Sequence, residues 1–272
     1  MAGVRGTLAG WCADWLVPRI HRARAFRALG RRLLRNRVVT QPFHGGVICL
    51  DAIEHSWAWT GAVRLESWDD HIQDRLLALS RDCETMIDVG GNIGVMTLAV
   101  ALRNPDIRIL CVEPNRRAGR LLRQSLALNR VGDRVTMIDA VAGEADGEVG
   151  FEEGGSTTGH VVREGALRKK SIDFARLIDE PAARGRCLVK VDVEGFETVL
   201  LKQLRRVHNR HRVAMMVELH AYGFNDVGNP RECLGLLRDG GGMVTTLSGD
   251  PVTALDQWTN PVETLQVEAR WP

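Results

Sequence analysis

The sequence lacks the features that mark several common classes of protein. Its six cysteines form no C-x-x-C pair and show no other metal-ligand spacing. We therefore expect reduced thiols, with Cys111 and Cys187 acting as small apolar side chains in strand-like runs. No apolar run approaches the length that a membrane-spanning helix needs. The apolar stretch 8–17 precedes an arginine-rich segment, which reverses the charge order of a signal peptide. These absences predict a cytoplasmic protein.

Several catalytic motifs are absent as well. The chain has no G-x-S-x-G elbow, no H-E-x-x-H pair and no G-x-x-x-x-G-K-[ST] phosphate loop. Tyr222 is the only tyrosine, and it does not belong to a Tyr-x-x-x-Lys pair. This argues against an oxidoreductase that uses such a pair.

Basic side chains are concentrated at the N-terminus. Residues 1–40 carry nine arginines and one acid, a charge of +8, so the remaining residues hold −6 of the chain's total of +2. Leu8, Trp11 and Trp15 recur at helical spacing, which predicts a basic amphipathic helical extension over 1–40, followed by one domain over 41–272. The helix would contact an anionic membrane surface or a partner, or it would simply pack with its arginines solvated, which we favour. The acidic remainder gives no support to a nucleic-acid acceptor.

From residue 85 onwards the chain alternates between strand-like and helix-like segments. Strands are predicted near 85–89, 107–112, 134–138, 187–191 and 213–219, and helices near 94–103, 115–129, 196–207 and 230–238. This alternation indicates an α/β fold with parallel strands and crossover helices on both faces. Before it, short strands are predicted near 47–50 and 57–63 and a helix over 69–79. Runs at 243–247 and 264–269 predict a terminal hairpin at the sheet edge.

The most informative segment is the loop from Asp88 to Gly94, which joins the first of these strands to a helix. Gly90, Gly91 and Gly94 allow positive φ angles and close approach of a ligand to the backbone. Asn92 stands where a dinucleotide fingerprint has its second glycine, so the spacing is G-x-x-x-G. We interpret the loop as a cofactor pocket rather than as a turn that only allows close packing.

Acidic residues beside this loop favour one cofactor over another. Asp88 fits poorly with a pyrophosphate and well with the ammonium group of S-adenosylmethionine. Glu113, at the end of the second strand, can accept hydrogen bonds from both ribose hydroxyls. Asp139 ends the third strand and would either meet the adenine amino group or serve as a turn residue. A dinucleotide remains the alternative cofactor at this stage.

Polar residues also follow the fourth and fifth predicted strands. Asp192 and Glu194 end one of them, and Glu218 and His220 end the other. If these strands are neighbours, the four side chains meet at the carboxyl edge of the sheet, where ligands bind in open α/β folds. We assign Asp192, His220 and Glu194 to catalysis. Asp192 or His220 would act as the base that removes a hydroxyl proton. A metal bound by the carboxylates and the histidine is the less favoured reading, and we expect none.

Four segments together resemble the FkbM family of S-adenosylmethionine-dependent methyltransferases. They are 87–94 (IDVGGNIG), 112–114 (VEP), 190–197 (KVDVEGFE) and 218–220 (ELH). The resemblance covers about residues 66–247, and its most specific part is the DVEGFE segment. The asparagine–proline pairs of the chain lack the second proline and the aromatic residue of methyltransferases that act on an exocyclic base nitrogen.

The resemblance implies a fold, a cofactor and a reaction. The fold is the class I methyltransferase (Rossmann-like) fold, a doubly wound and mostly parallel sheet of seven strands. The reaction is O-methylation of a hydroxyl on a sugar, glycan or polyketide-type natural product, with S-adenosylmethionine as cofactor. Carried over by motif, Asp88, Gly90 and Gly94 belong to the cofactor loop and Glu113 to the ribose contact. The alternatives are an NAD(P)-dependent oxidoreductase and a scaffold that binds cofactor weakly.

Overall fold

The computed structural model describes residues 37–153, 159–162, 167–220, 230–252 and 264–272. Residues 1–36 of the predicted basic extension lie outside these ranges. The prediction of a helix through residue 40 is wrong at its end, because Val38 already begins a strand. Val38, Val39 and Thr40 are β-branched, and this favours the extended backbone.

Strands and helices are numbered separately in chain order. The strands of the described residues are β1 (Val38–Phe43), β2 (Gly46–Asp51), β3 (Thr85–Val89), β4 (Arg108–Val112), β5 (Val135–Ile138), β6 (Val141–Gly143), β7 (Gly147–Glu153), β8 (Gly159–Val162), β9 (Leu167–Asp173), β10 (Cys187–Val191), β11 (Val213–His220), β12 (Met243–Thr246) and β13 (Thr264–Arg270). The α-helices are α1 (Ser56–Trp59), α2 (Asp70–Ser80), α3 (Val95–Arg103), α4 (Arg116–Asn129), α5 (Phe174–Ala182), α6 (Glu197–Lys202) and α7 (Pro230–Arg238).

Seven strands form the central sheet, in the order β12-β13-β11-β10-β3-β4-β5. The pairs from β11 to β5 are parallel, and β13 runs antiparallel to both β11 and β12. This confirms the predicted doubly wound, mostly parallel sheet of the class I methyltransferase fold and the terminal strand pair at its edge. The order changes direction between β3 and β10, and the crevice at such a switch point is where ligands bind in these folds.

The middle strands are continuous apolar runs because both faces of the sheet are covered. Every residue of β10 is buried, and in β3 only Thr85 is partly exposed. Two apolar cores lie on the two faces, as expected for parallel strands with crossover helices. Within the described residues no helix is long and apolar enough to cross a bilayer.

The structure differs from the sequence analysis at three further points. The predicted strand at 57–63 is wrong: it contains α1 and a turn, in which Trp59 donates its indole N–H to the carbonyl of Ala52. The predicted helix 196–207 is shorter, since α6 ends at Lys202 and a 3₁₀ helix follows. The third difference is helix α5, which the sequence analysis missed.

A second sheet was also missed, and it lies between β5 and α5. It has four strands in the order β6-β9-β7-β8. Buried Lys169 of β9 joins this sheet to the central one, because its ammonium group donates to the carbonyl of Pro114 at 2.5 Å and pairs with Glu153 at 2.8 Å. The small sheet is thereby held over the carboxyl end of β4.

Candidate functional site

A cavity of about 650 Å³, measured with its open mouth, lies at the switch point of the central sheet. Its walls come from the strand ends of the central sheet and from the small sheet above. The lining residues are Val89, Gly90, Asn92, Val112, Glu113, Pro114, Asn115, Ala118, Val141, Ala142, Phe151, Val161, Asp192, Val193, Glu194 and Phe196.

The glycine loop is shaped by close contacts within the protein. Gly90 has φ +81°, and a Cβ there would lie 1.8 Å from the carbonyl oxygen of Asp192. A Cβ at Gly91 would lie 2.1 Å from Cys111 Sγ, and one at Gly94 would lie 2.2 Å from a methyl group of Leu122. Only glycine therefore fits at these positions, and Gly90 is the one of the three that also lines the cavity.

Asn92 and Glu113 are linked across the floor of the cavity. Asn92 has φ +51°, a left-handed conformation that asparagine tolerates, and its side chain accepts a hydrogen bond from the N–H of Ile93. Its own backbone N–H donates to Glu113 Oε2 at 2.7 Å, while the N–H of Asn115 donates to Glu113 Oε1 at 2.6 Å. Burial raises the pKa of Glu113 to about 7, against the opposite effect of these two hydrogen bonds.

Asp88 lies behind the loop and is fully buried. Its Oδ2 accepts a hydrogen bond from the Thr97 hydroxyl at 2.6 Å, and its Oδ1 is 3.2 Å from the ammonium group of Lys190. The same ammonium group donates to the carbonyl of Gly90 at 3.0 Å and lies 3.2 Å from Asp192 Oδ2. Burial acts to lower the pKa of Lys190, but the surrounding carboxylates raise it overall, so the side chain is charged.

The acids at the ends of β10 and β11 do meet, as the sequence predicted for neighbouring strands. His220 is 2% exposed, and its Nε2 faces three carboxylates. Asp192 Oδ1 is 3.6 Å away, and Glu194 Oε2 and Glu218 Oε1 are each 3.8 Å away. Glu194 has φ +53°, an uncommon conformation for its residue type and one that occurs more often at functional sites.

Sequence reasoning missed Glu197, which holds the other side of the His220 ring. Glu197 is fully buried, and its Oε1 lies 2.9 Å from His220 Nδ1. Burial acts to lower the pKa of His220, but the hydrogen bond that its ring donates to Glu197 and the charges of Asp192 and Glu194 raise it to about 9. The signal was present in the DVEGFE segment, whose last acid comes three residues after Glu194 at the start of α6.

Two acidic residues predicted for the cofactor site stand apart from the cavity wall, as Gly91 and Gly94 do. Asp139 is exposed after β5, and neither it nor Asp88 is among the described residues that line the cavity. Their assignment to the cofactor site stays a prediction. Asp173, the last residue of β9, caps α5 by accepting hydrogen bonds from the backbone N–H groups of Ala175 and Arg176.

A family model described as the methyltransferase FkbM domain matches residues 88–244, more than half of the chain. The chain belongs to the FkbM methyltransferase family. It is therefore a methyltransferase whose cofactor is S-adenosylmethionine. No sequence among the curated proteins matches it.

Several solved structures are similar to this FkbM methyltransferase at the level of fold. Precorrin-6y C5,15-methyltransferase from Geobacter metallireducens is 14% identical, with a TM-score of 0.43 over 74% of this chain and 87% of its own. TYW2 from P. horikoshii, solved in complex with MeSAdo, is 10% identical, with a TM-score of 0.49 over 94% and 86%. A SAM-dependent methyltransferase from Agrobacterium tumefaciens is 12% identical, with a TM-score of 0.45 over 86% and 69%. Likeness at this level carries no argument about the acceptor.

The cavity of this FkbM methyltransferase fits S-adenosylmethionine. The nucleoside part of the cofactor needs an apolar slot for the adenine ring and a hydrogen-bond acceptor for the ribose hydroxyls. Val112, Ala142 and Phe151 supply apolar walls, and Glu113 presents a carboxylate at the floor between them. The loop at Gly90 brings backbone rather than side chain to the opposite wall, next to Asp192.

Proposed function

We propose that this FkbM methyltransferase methylates a hydroxyl oxygen of a small acceptor such as a sugar, glycan or polyketide-type natural product. The observation that carries the proposal is the position of the Asp192 carboxylate. It lines the cofactor cavity, its side chain is 28% exposed, and it lies between Lys190 and His220. A hydroxyl is a weak nucleophile, and a carboxylate at the acceptor side supplies the proton acceptor that it needs.

The cofactor site consists of the glycine loop and the end of β4. Gly90, Gly91, Asn92 and Gly94 shape the loop, and Glu113 would accept hydrogen bonds from the ribose hydroxyls. Asp88 would act from behind, because its hydrogen bond with Thr97 and its ion pair with Lys190 fix the base of the loop. Asp139 is kept as a candidate contact for the adenine amino group.

Asp192 is the stronger candidate for the base, because it reaches the cavity whereas His220 is 2% exposed and held by Glu197. S-adenosylmethionine would supply an activated methyl group, and the acceptor oxygen would gain the bond to carbon that the sulfur gives up. Asp192 would receive the hydroxyl proton as the oxygen attacks. Lys190 and His220 orient the carboxylate from either side, and Glu194 would position the acceptor at the cavity mouth.

Family membership removes the alternative of an NAD(P)-dependent oxidoreductase. It leaves the class of acceptor open, so the test is a screen of acceptors with labelled cofactor. Sugars and glycosylated metabolites are compared with amines and tRNA, and the methylated atom of any product is located by mass spectrometry and NMR. Transfer to a hydroxyl oxygen is expected, and methylation of carbon, nitrogen or tRNA alone would contradict the proposal.

The role of Asp192 is tested on the same reaction. Asp192→Asn should lower kcat by about 10²–10⁴-fold, the usual worth of a positioned base, with little change in the affinity for S-adenosylhomocysteine. Glu148→Gln is the matched control, since that carboxylate is exposed on β7. Full turnover by Asp192→Asn would remove Asp192 from the reaction. The expected cytoplasmic location stays a prediction, as does the membrane or partner contact of residues 1–40.

A further inference from the structure

The histidine and carboxylates at the ends of β10 and β11 have the composition and spacing of a metal site. One ligand atom from each of Asp192, Glu194 and His220 lies within 4.8 Å of the other two. We propose that these three residues, with Glu218 beside them, bind a divalent transition-metal ion at the edge of the cofactor cavity. This differs from the metal-free site that the sequence analysis favoured.

The first support is the orientation of the histidine. His220 is 2% exposed, and its Nδ1 lies 2.9 Å from the carboxylate of Glu197, which is itself fully buried. Histidines that bind metals usually donate their second ring N–H to such a carboxylate, which fixes the tautomer and directs the other nitrogen at the ion. Here Glu197 directs Nε2 towards the three acids. Glu197 is thus a positioning residue for the site.

The second support is the spacing of the donor atoms. Metal bonds of about 2.0–2.2 Å in tetrahedral geometry hold neighbouring donor atoms about 3.3–3.6 Å apart. His220 Nε2 is 3.6 Å from Asp192 Oδ1 and 3.8 Å from Glu194 Oε2. The first distance lies within that range, and the second exceeds it by 0.2 Å. Glu194 can move closer readily, because its side chain is 37% exposed.

The third support is the balance of charge. Three carboxylates face Nε2 of one imidazole ring and a fourth, Glu197, lies at its Nδ1. The nearby ammonium group of Lys190 is shared between Asp192 and the buried Asp88. Carboxylates that gather in a partly buried site repel one another unless a cation compensates them. A divalent ion between Asp192, Glu194 and His220 would bring further positive charge to this group of carboxylates.

The donor set indicates the class of ion. Magnesium and calcium prefer oxygen ligands alone, whereas a mixture of imidazole and carboxylate suits manganese, iron, cobalt or zinc. Asp192 and Glu194 also line the cavity, so an acceptor oxygen could occupy an open position on the ion. This role rests on the proposed function. The ion would polarise the acceptor's O–H bond and allow Asp192 to act as a weak base.

Binding of the ion can be measured without turnover. The full chain is freed of metal with a chelator and titrated with Mn²⁺, and free Mn²⁺ is followed by electron paramagnetic resonance. We expect one ion per chain, with affinity reduced about tenfold or more in Glu194→Gln, His220→Gln and the positioning variant Glu197→Gln. The matched control Glu148→Gln should bind like wild type, and excess Mg²⁺ should not displace the ion.

Calorimetry with S-adenosylhomocysteine in metal-free buffer shows whether each variant is folded. Glu194→Gln decides the matter if His220→Gln fails to fold, because Glu194 is partly exposed. No saturable Mn²⁺ binding by the wild-type chain, or equal binding by Glu194→Gln, would overturn the proposal. If Mn²⁺ binds as expected and the methylated atom is not a hydroxyl oxygen, the proposed function fails and the metal site stands.

Discussion

Replacing Lys190 by methionine tests how the glycine loop is supported. The Lys190 ammonium group is the cation that compensates Asp88, which is fully buried. We expect Lys190→Met to lower the free energy of unfolding by about 3–5 kcal/mol, the usual cost of leaving one partner of a buried ion pair uncompensated. Methionine fills much of the space of the lysine stem, so the loss would come mainly from charge rather than from a cavity.

The magnitude follows from what remains around Asp88. After the substitution its carboxylate keeps the hydroxyl of Thr97 at 2.6 Å but has no cation at Oδ1. The carbonyl of Gly90 also loses its donor, at a cost of about 1 kcal/mol. Asp192 is 28% exposed, so water can replace the ammonium group there. Most of the loss is therefore assigned to Asp88.

A double-mutant cycle measured by urea unfolding separates this effect from general damage. Combining Asp88→Asn with Lys190→Met removes both charges, so the double variant should be at least about 2 kcal/mol more stable than additivity predicts. Lys202→Met is the matched control, because its ion pair with Glu232 is half exposed and should cost about 0–1 kcal/mol. Additive losses in the cycle, or a Lys190→Met variant as stable as the control, would refute the reasoning.

Three further predictions concern the cofactor side of the cavity. Burial raises the pKa of Glu113 from 4.5 to about 7, so ionisation of this carboxyl group opposes folding. The protonated group's contribution to the free energy of unfolding is fully present below pH 4.5 and is lost as the pH rises through 7. Calorimetry should show affinity for S-adenosylhomocysteine rising between about pH 5.5 and about pH 8.5, as the better acceptor for the ribose hydroxyls forms, and little change in Glu113→Gln. Gly90→Ala should abolish cofactor binding or lower Tm strongly, because its Cβ would meet the Asp192 carbonyl at 1.8 Å. Gly132→Ala is the control, because a Cβ at Gly132 meets no described atom within 4 Å. Asn115→Ala should cost about 1 kcal/mol in urea unfolding, since its side chain caps α4 by accepting from two backbone N–H groups.

The central sheet could be predicted from the sequence because its middle strands are buried on both faces. Continuous apolar runs such as 85–89 and 187–191 are separated by helical periodicity, and this pattern specifies parallel strands with crossover helices. The small sheet was not predictable in the same way. Strand β9 alternates between exposed and buried positions over only seven residues, β7 buries only the adjacent Gly150 and Phe151, and β6 has three residues. Patterns that short do not distinguish strands from loops.

The candidate site, like the fold, could be predicted from the sequence only in part. The loop at Gly90 could be found because it joins a predicted strand to a predicted helix. Glu113 could be found because it ends the next predicted strand. The roles of the glycines differ from expectation, since they make room for protein atoms such as the Asp192 carbonyl as well as for a ligand. Glu197, on helix α6, was missed because its partner His220 lies 23 residues away on strand β11. Only the packing of α6 against the end of β11 reveals that contact.

Titration of the purified full chain with S-adenosylhomocysteine, with NAD⁺ and NADPH run beside it, tests the central claim most directly. The account predicts that S-adenosylhomocysteine binds at one site per chain, that Glu113→Ala weakens this binding, and that neither dinucleotide binds. Binding of a dinucleotide without binding of S-adenosylhomocysteine would contradict the assignment of the cavity at the switch point to S-adenosylmethionine.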